Sequence, residues 1–260
     1  MSINRREFIA GGAGVAAGAV PAIFGGRYSE PGAHPAYALV QANYGVRADL
    51  SPMPMMGRCG GCHIGNGIVI SAGHCVSGKG IKALHVNGGK LTKVAGREWA
   101  FVPDSYVFPG DDFALIYDPA LVGAPAARVA PKEVFIDLRG RVARGERPEA
   151  LIVGKGTTRL DEYNTPTASS ERLKELDVVI AEMDLRRFGV VDPTGEGRGC
   201  QGDSGGPCFY EGYTIGATTS VPQNNLGQVC TDNRDVTTYT SLEGYLPLIR
   251  DFEALVRAFA

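Results

Sequence analysis

The chain has 260 residues, 44% hydrophobic and 21% charged, a balance that supports a full buried core and excludes an intrinsically disordered chain. Its 26 basic and 28 acidic side chains leave a net charge of −2, so nothing points to nucleic acid or to an anionic membrane. The 36 glycines and 16 prolines require many turns, and the 6 cysteines suit an oxidising compartment.

In chain order, Asn4 Arg5 Arg6 Glu7 Phe8 Ile9 opens an uncharged, Ala- and Gly-rich stretch over residues 8–24. This resembles a bacterial twin-arginine export signal, and its glycines and Pro21 make it a poor membrane-spanning helix. The small-residue pattern Ala36 Tyr37 Ala38 offers a cleavage site. Residues 1–38 are therefore expected to be signal and linker, with a folded domain over residues 39–260 that is periplasmic or extracellular and loses membrane association once the signal is removed. A retained anchor is the alternative. Twin-arginine export carries folded chains, so any disulfides would close after export or in an oxidising cytosol.

The run Gly67 Ile68 Val69 Ile70 reads as a buried strand that delivers His74 to a rim, and Phe113 Ala114 Leu115 Ile116 as a second such strand directly after Asp112. Further short apolar runs over residues 134–138, 151–153, 178–180 and 213–217, separated by turn signals, read as strands of an all-β chain. Residues 119–131, dominated by Ala, Pro and Gly, mark a break between two halves. At the end, Leu248, Ile249, Phe252, Leu255, Val256 and Phe259 fall on one helical face, with Pro247 in the first turn; the mixed charge of the other face favours docking on the core over a membrane.

The richest chemistry lies in Cys200 Gln201 Gly202 Asp203 Ser204 Gly205 Gly206 Pro207. A serine hydroxyl is a weak nucleophile, so it needs a base to take its proton and a third group to orient that base. His74 and Asp112 supply both. Asp112 is preferred over Asp111 by its spacing to the Ala–Leu pair, and His34, His63 and His85 read as structural or surface residues. A rival pattern overlaps the site: Cys59 Gly60 Gly61 Cys62 His63 spells the C-x-x-C-H of covalent haem attachment, and Cys59, Cys62, His74 and Cys75 could ligate zinc. Either reading leaves the serine loop unexplained, and the zinc reading consumes the base.

The order His74, Asp112, Ser204 and several quoted stretches resemble the trypsin/chymotrypsin family of serine endopeptidases over residues 59–260. Cys59 Gly60 Gly61 Cys62 is similar to the family's Cys-Gly-Gly-Ser, Asp112 Phe113 Ala114 Leu115 Ile116 to Asp-Ile-Ala-Leu-Leu, and Gly154 Lys155 Gly156 Thr157 Thr158 to Gly-Trp-Gly-Thr, with Leu173 Lys174 Glu175 Leu176 resembling the strand that follows. The resemblance implies two six-stranded antiparallel Greek-key barrels, residues 39–125 and 126–245, and a terminal helix over 246–260. It implies a catalytic triad of His74, Asp112 and Ser204, an oxyanion hole from the Gly202 and Ser204 N–H groups, an acyl-enzyme intermediate, no cofactor or metal, and a monomer that takes protein or peptide substrates. It also implies disulfides Cys59–Cys75, whose members stand 16 residues apart, and Cys200–Cys230. Cys62 and Cys208 are left over, flanking the same junction, and are expected to form a third bridge.

Departures from the family leave three matters open. No Ile-Val-Gly-Gly start precedes Cys59, although in the family that start supplies an α-amine for the aspartate before the serine, here Asp203; cleavage after Ala38 would expose Leu39 Val40 as a substitute, and an internal arginine, as in some bacterial relatives, is the alternative. Arg198 stands at the family's pocket floor, where it faces an acidic side chain, turns outward or pairs with Glu196. Thr219, Ser220 and Val221 form the expected substrate edge, and Val221 with Thr237 narrows the pocket, so acidic, small apolar and other preferences remain open. A noncatalytic binding protein on the same scaffold is the alternative function.

Overall fold

The computed structural model describes residues 23–47, 51–77, 81–91, 100–101, 112–160, 166–221, 230 and 236–259. Two antiparallel sheets dominate them. In the first, Tyr37–Arg47 pairs with Ser51–Gly65 on one side and Ala83–Val86 on the other, and Ser51–Gly65 pairs with Ile68–Ser71, which pairs with Ala114–Tyr117. Short strands Gly89–Lys90 and Ala100–Phe101 complete seven strands that do not close. Ile68–Ser71 and Ala114–Tyr117 are buried on both faces, which is why each reads as a continuous apolar run and not as an alternation.

In the second sheet the order is Lys174–Met183, Glu149–Gly154, Pro207–Tyr210, Tyr213–Ser220, Thr237–Ser241, Arg187–Val191, and back to Lys174–Met183. The return pairing closes a six-stranded barrel and removes its free edges. The all-β expectation therefore holds, with a closed barrel, an open half-barrel and a terminal helix. That helix, Leu246–Phe259, buries Ile249, Phe252 and Val256, while Leu255 stays 41% exposed. It packs against Ala114–Tyr117, with the Tyr245 ring stacked 4.0 Å from Phe113, so the last element of the chain clamps the first sheet. Among the described residues no helix is long and apolar enough to cross a membrane.

Two expectations are corrected. The run over residues 134–138 is not a strand: Lys132–Ala143 is an α-helix that buries Phe135 and Leu138, three apart on one face, and leaves Ile136 half exposed. Pro131 precedes it in an extended conformation that suits a helix start. The expected domain boundary at residue 39 also moves. Ala38 and Leu39 sit inside the strand Tyr37–Arg47, Val40 is 1% exposed, and Arg27–Tyr28 pairs with Glu175 and Lys174 on the barrel. Residues 23–38 are thus part of the fold. The rest of the expected export signal, residues 1–22, lies outside the described residues.

Candidate active site

Ile68–Ser71 ends in a short turn, Gly73–Cys75, that presents His74 with its side chain about half exposed. Asp112 precedes the neighbouring strand and holds this turn with both oxygens. Oδ1 accepts the His74 backbone N–H at 2.7 Å and Oδ2 faces His74 Nδ1 at 2.5 Å. Such a carboxylate accepts a hydrogen bond from Nδ1–H and leaves Nε2 as the basic nitrogen. The Asp112 carbonyl in turn accepts from the Thr240 hydroxyl at 3.0 Å, and Thr240 Oγ1 lies 2.7 Å from Thr219 Oγ1. With the Thr240 proton committed to the Asp112 carbonyl, Thr219 donates, so a relay runs from the expected substrate edge to the main chain of Asp112.

Ser204 sits on the loop before Pro207–Tyr210, half buried. Its carbonyl accepts from Gly60 N–H at 2.7 Å and lies 3.9 Å from Cys75 Sγ, so its backbone is fixed beside the Cys59–Cys75 disulfide that ends the histidine turn. Gly205, at φ +76°, donates to Thr218 O at 2.7 Å, and a Cβ there would lie 2.3 Å from Ser71 Oγ; only glycine lets the two sheets meet this closely. Gly202 adopts φ +93°, and among the described residues neither its N–H nor that of Ser204 is taken by another acceptor. Two donors stand unclaimed beside the serine.

Asp203 points the other way, into the barrel, 2% exposed. Gly156 N–H donates to Oδ1 at 2.7 Å, Cys200 N–H to Oδ2 at 2.9 Å, and the Ile23 N–H also donates to this carboxylate. Burial pushes its carboxyl up to about 6 against these donors and the nearby Lys174 ammonium, which favour the charged form. Ile23 is a residue of this candidate site that the sequence did not single out. Its signal was present: Ile23 Phe24 Gly25 Gly26 differs from Ile-Val-Gly-Gly by one side chain. Leu39 and Val40, the expected substitute, are strand residues remote from this role. Thr240 was also missed, and only the strand register could reveal it.

The specificity residues are partly reinterpreted. Arg198 is 9% exposed; its N–H donates to Phe24 O, its Nε donates to Cys230 O at 2.8 Å, and its guanidinium stacks 4.6 Å from the Phe24 ring centre. Thr237 is buried and accepts from Gly199 N–H at 3.0 Å. Val221 is half buried at the end of Tyr213–Ser220, whose last residue, Ser220, is exposed.

Cys59–Cys75 and Cys200–Cys230 are disulfides, as the resemblance implied. The third bridge is not formed. Cys62 pairs in register with Tyr37 and Ile70 in the first sheet, Cys208 with Ile152 and Gly216 in the barrel, and both are free buried thiols. The haem and zinc readings fail on the same observation, since Cys59 and Cys75 beside His74 have no thiolate to offer. A cavity of about 810 Å³ on another face, lined by residues such as His34, Arg128 and Phe209, includes none of these site residues.

The family model described as Trypsin matches residues 23–249. The chain belongs to the trypsin family. The matched span starts at Ile23, consistent with the position of that residue under the serine loop. Chymotrypsin-like elastase family member 1 of Macaca fascicularis is 27% identical over 208 residues, covering 74% of this chain and 77% of that protein. The Rattus norvegicus protein of the same name is 28% identical over 205 residues, covering 72% and 76%. Among solved structures, an HL collagenase superposes with a TM-score of 0.57 at 18% identity, covering 88% of this chain and 98% of that one, and so attests the fold. Membership of the trypsin family supports a serine-protease-type hydrolase and suggests peptide hydrolysis, and the two disulfides fit an extracellular protein.

Proposed function

We propose that the chain is a serine endopeptidase in which Ser204, His74 and Asp112 form the triad. The observation that carries this reading is the two-point grip of Asp112 on His74, through the backbone N–H and Nδ1. Ser204 Oγ attacks the scissile carbonyl as His74 Nε2 takes its proton, and the imidazolium then protonates the leaving amine. Asp112 holds the tautomer and offsets the imidazolium charge. The Gly202 and Ser204 N–H groups bind the developing oxyanion, and water deacylates the enzyme by the reverse proton path.

For the residue before the cut we propose a small aliphatic side chain. Thr237 closes on Gly199, where a Cβ would meet Thr237 Cγ2 at 2.7 Å, and Arg198 is engaged by Cys230 O and Phe24, which favours this over an acidic preference. The likeness to elastases supports it. Export through the twin-arginine-like residues 4–9 and action as a monomer complete the proposal.

Fluorophosphonate labelling with peptide mapping tests the triad. Modification confined to Ser204, abolished in Ser204→Ala together with about a millionfold loss of turnover, is the expected result. Retained turnover in Ser204→Ala would remove the serine from the mechanism. Peptide-library profiling tests the pocket, and dominant cleavage after Asp, Glu, Lys or Arg would overturn the small-residue proposal.

A further inference from the structure

Lys174 has no exposed surface, an unusual state for a lysine, and neither the triad nor the oxyanion hole uses it. It begins the strand Lys174–Met183 directly across from Gly154. Gly154 has no side chain for a reason: a Cβ there would lie 2.0 Å from Asp203 Oδ1. Lys174 and Asp203 therefore converge on one buried site beneath the serine loop. The ammonium donates to Gly26 O and lies 4.7 Å from the Tyr28 ring centre. Gly26 N–H donates to Ile23 O at 2.8 Å, and Ile23 N–H donates to Asp203. A line of hydrogen bonds thus runs from Asp203 through Ile23 and Gly26 to Lys174, and the ammonium acts on the carboxylate through space, with no direct ion pair between them among the described residues.

In the 260-residue chain Ile23 is joined to Ala22, so its nitrogen is a neutral amide with one hydrogen and cannot neutralise a buried carboxylate. Lys174 brings the charge that this amide lacks. We propose that Lys174 is the internal counter-ion of Asp203 and a positioning residue for the oxyanion loop, making the chain a competent serine hydrolase with residues 1–22 still attached. The proposal rests on the triad reading above. Burial lowers Lys174 to about 8 and raises Asp203 to about 6, so both are ionised across the neutral range. Uncleaved and cleaved chains then differ in how Asp203 is neutralised: by Lys174 alone, or by Lys174 together with a new α-ammonium at Ile23.

The experiment uses the full chain and a version in which residues 18–22 are replaced by a recognition sequence cut immediately before Ile23. Fluorophosphonate labelling rates at Ser204 are measured for both, with wild-type Lys174, Lys174→Met and Lys174→Arg, after confirming folding by thermal melts and the uncut state by mass. In the uncut chain, Lys174→Met is expected to slow labelling about a hundredfold and Lys174→Arg to stay within about tenfold of wild type. In the cut chain, Lys174→Met is expected to stay within about tenfold, because the α-ammonium supplies the charge. Equal losses in cut and uncut Lys174→Met would reduce Lys174 to core packing and overturn the proposal. So would an uncut wild type that labels only after cutting, or an uncut Lys174→Met that labels as fast as wild type. If neither wild-type form labels, the triad reading itself fails, an outcome separable from the others.

Discussion

Two aspartates serve the loop and the base around Ser204, and they are held in opposite ways. Asp112 keeps 19% of its side chain exposed and faces an imidazole that is itself 49% exposed. Asp203 is sealed in the barrel, where its partners are backbone N–H groups and a buried lysine lies nearby. In the proposed mechanism the first faces a group whose charge alternates in every catalytic cycle, and water at its edge tempers that change. The second must not alternate, and burial with fixed donors keeps the loop above it in one place. One carboxylate serves a moving proton and the other a stationary backbone.

This contrast can be broken or sharpened by experiment. The largest effect is expected for Asp112→Asn, which keeps the shape but turns an acceptor at Nδ1 into a donor and so enforces the wrong tautomer; kcat on a peptide ester should fall about 10⁴-fold with the melting temperature nearly unchanged. A comparable loss from Asp111→Asn, with Asp112 intact, would reassign the orienting residue. Asp203→Asn should act on stability as well as activity. It leaves the buried Lys174 ammonium without a nearby negative charge, so urea denaturation should show a lower midpoint, which the double variant Asp203→Asn with Lys174→Met should largely recover without restoring turnover. Recovery of turnover in the double variant would show that the charge at Asp203 is dispensable.

The pH dependence of stability separates the two acids further. Because burial holds Asp203 near about 6, above its ordinary 3.8, the folded chain binds that proton more tightly than the unfolded chain does. Its stabilising contribution is full below the lower value and is lost as pH rises toward the upper one, an amount of about 3 kcal/mol. Urea midpoints taken across that window should therefore fall with pH in the wild type and in Asp112→Asn, and Asp203→Asn should lack that component. The smallest effect concerns the cysteines. Thiol titration should find Cys62 and Cys208 unreactive in the native chain and both reactive on unfolding, consistent with burial that pushes the Cys62 thiol up to about 12, and Cys208→Ala should cost about 1–2 kcal/mol. A mass two hydrogens lighter than the two-disulfide form would restore the third bridge.

Much of the site was legible because its chemistry is written in contiguous residues. Gly-Asp-Ser-Gly-Gly, the histidine turn and the aspartate before a buried strand each need neighbours of fixed type, so each leaves a local signature. The strands at residues 68–71, 114–117 and 149–154 were legible for a related reason, since each carries a short run of apolar residues into the core. What escaped depends on distance and not on order. Ile23 was hidden by its place at the end of an apolar, leader-like stretch and by the single exchange at Phe24. The helix Lys132–Ala143 was hidden because Val134, Phe135 and Ile136 form an apolar run, although only the spacing of Phe135 and Leu138 reports the buried face. The pairing of Cys62 and Cys208 was unreadable in principle, since proximity to a junction does not say that two thiols lie within bonding reach. Thr240 and Lys174 acquire their roles only through strand register, which brings residues distant in sequence within reach of Asp112 and Asp203.

The segment Ile23–Gly26 touches both ends of the proposed active site. Ile23 binds the carboxylate beneath the oxyanion loop, and Phe24 carries the guanidinium of Arg198 at the pocket floor. Sites joined through one short peptide are thermodynamically linked, and the linkage is reciprocal. A substrate that binds more tightly with Arg198 in this place tightens the docking of the segment by the same factor that the docked segment tightens the substrate. If Arg198 floors the proposed pocket, selectivity and the docking of residues 23–26 draw on one shared equilibrium, and hydrogen exchange at those residues would read occupancy of that pocket.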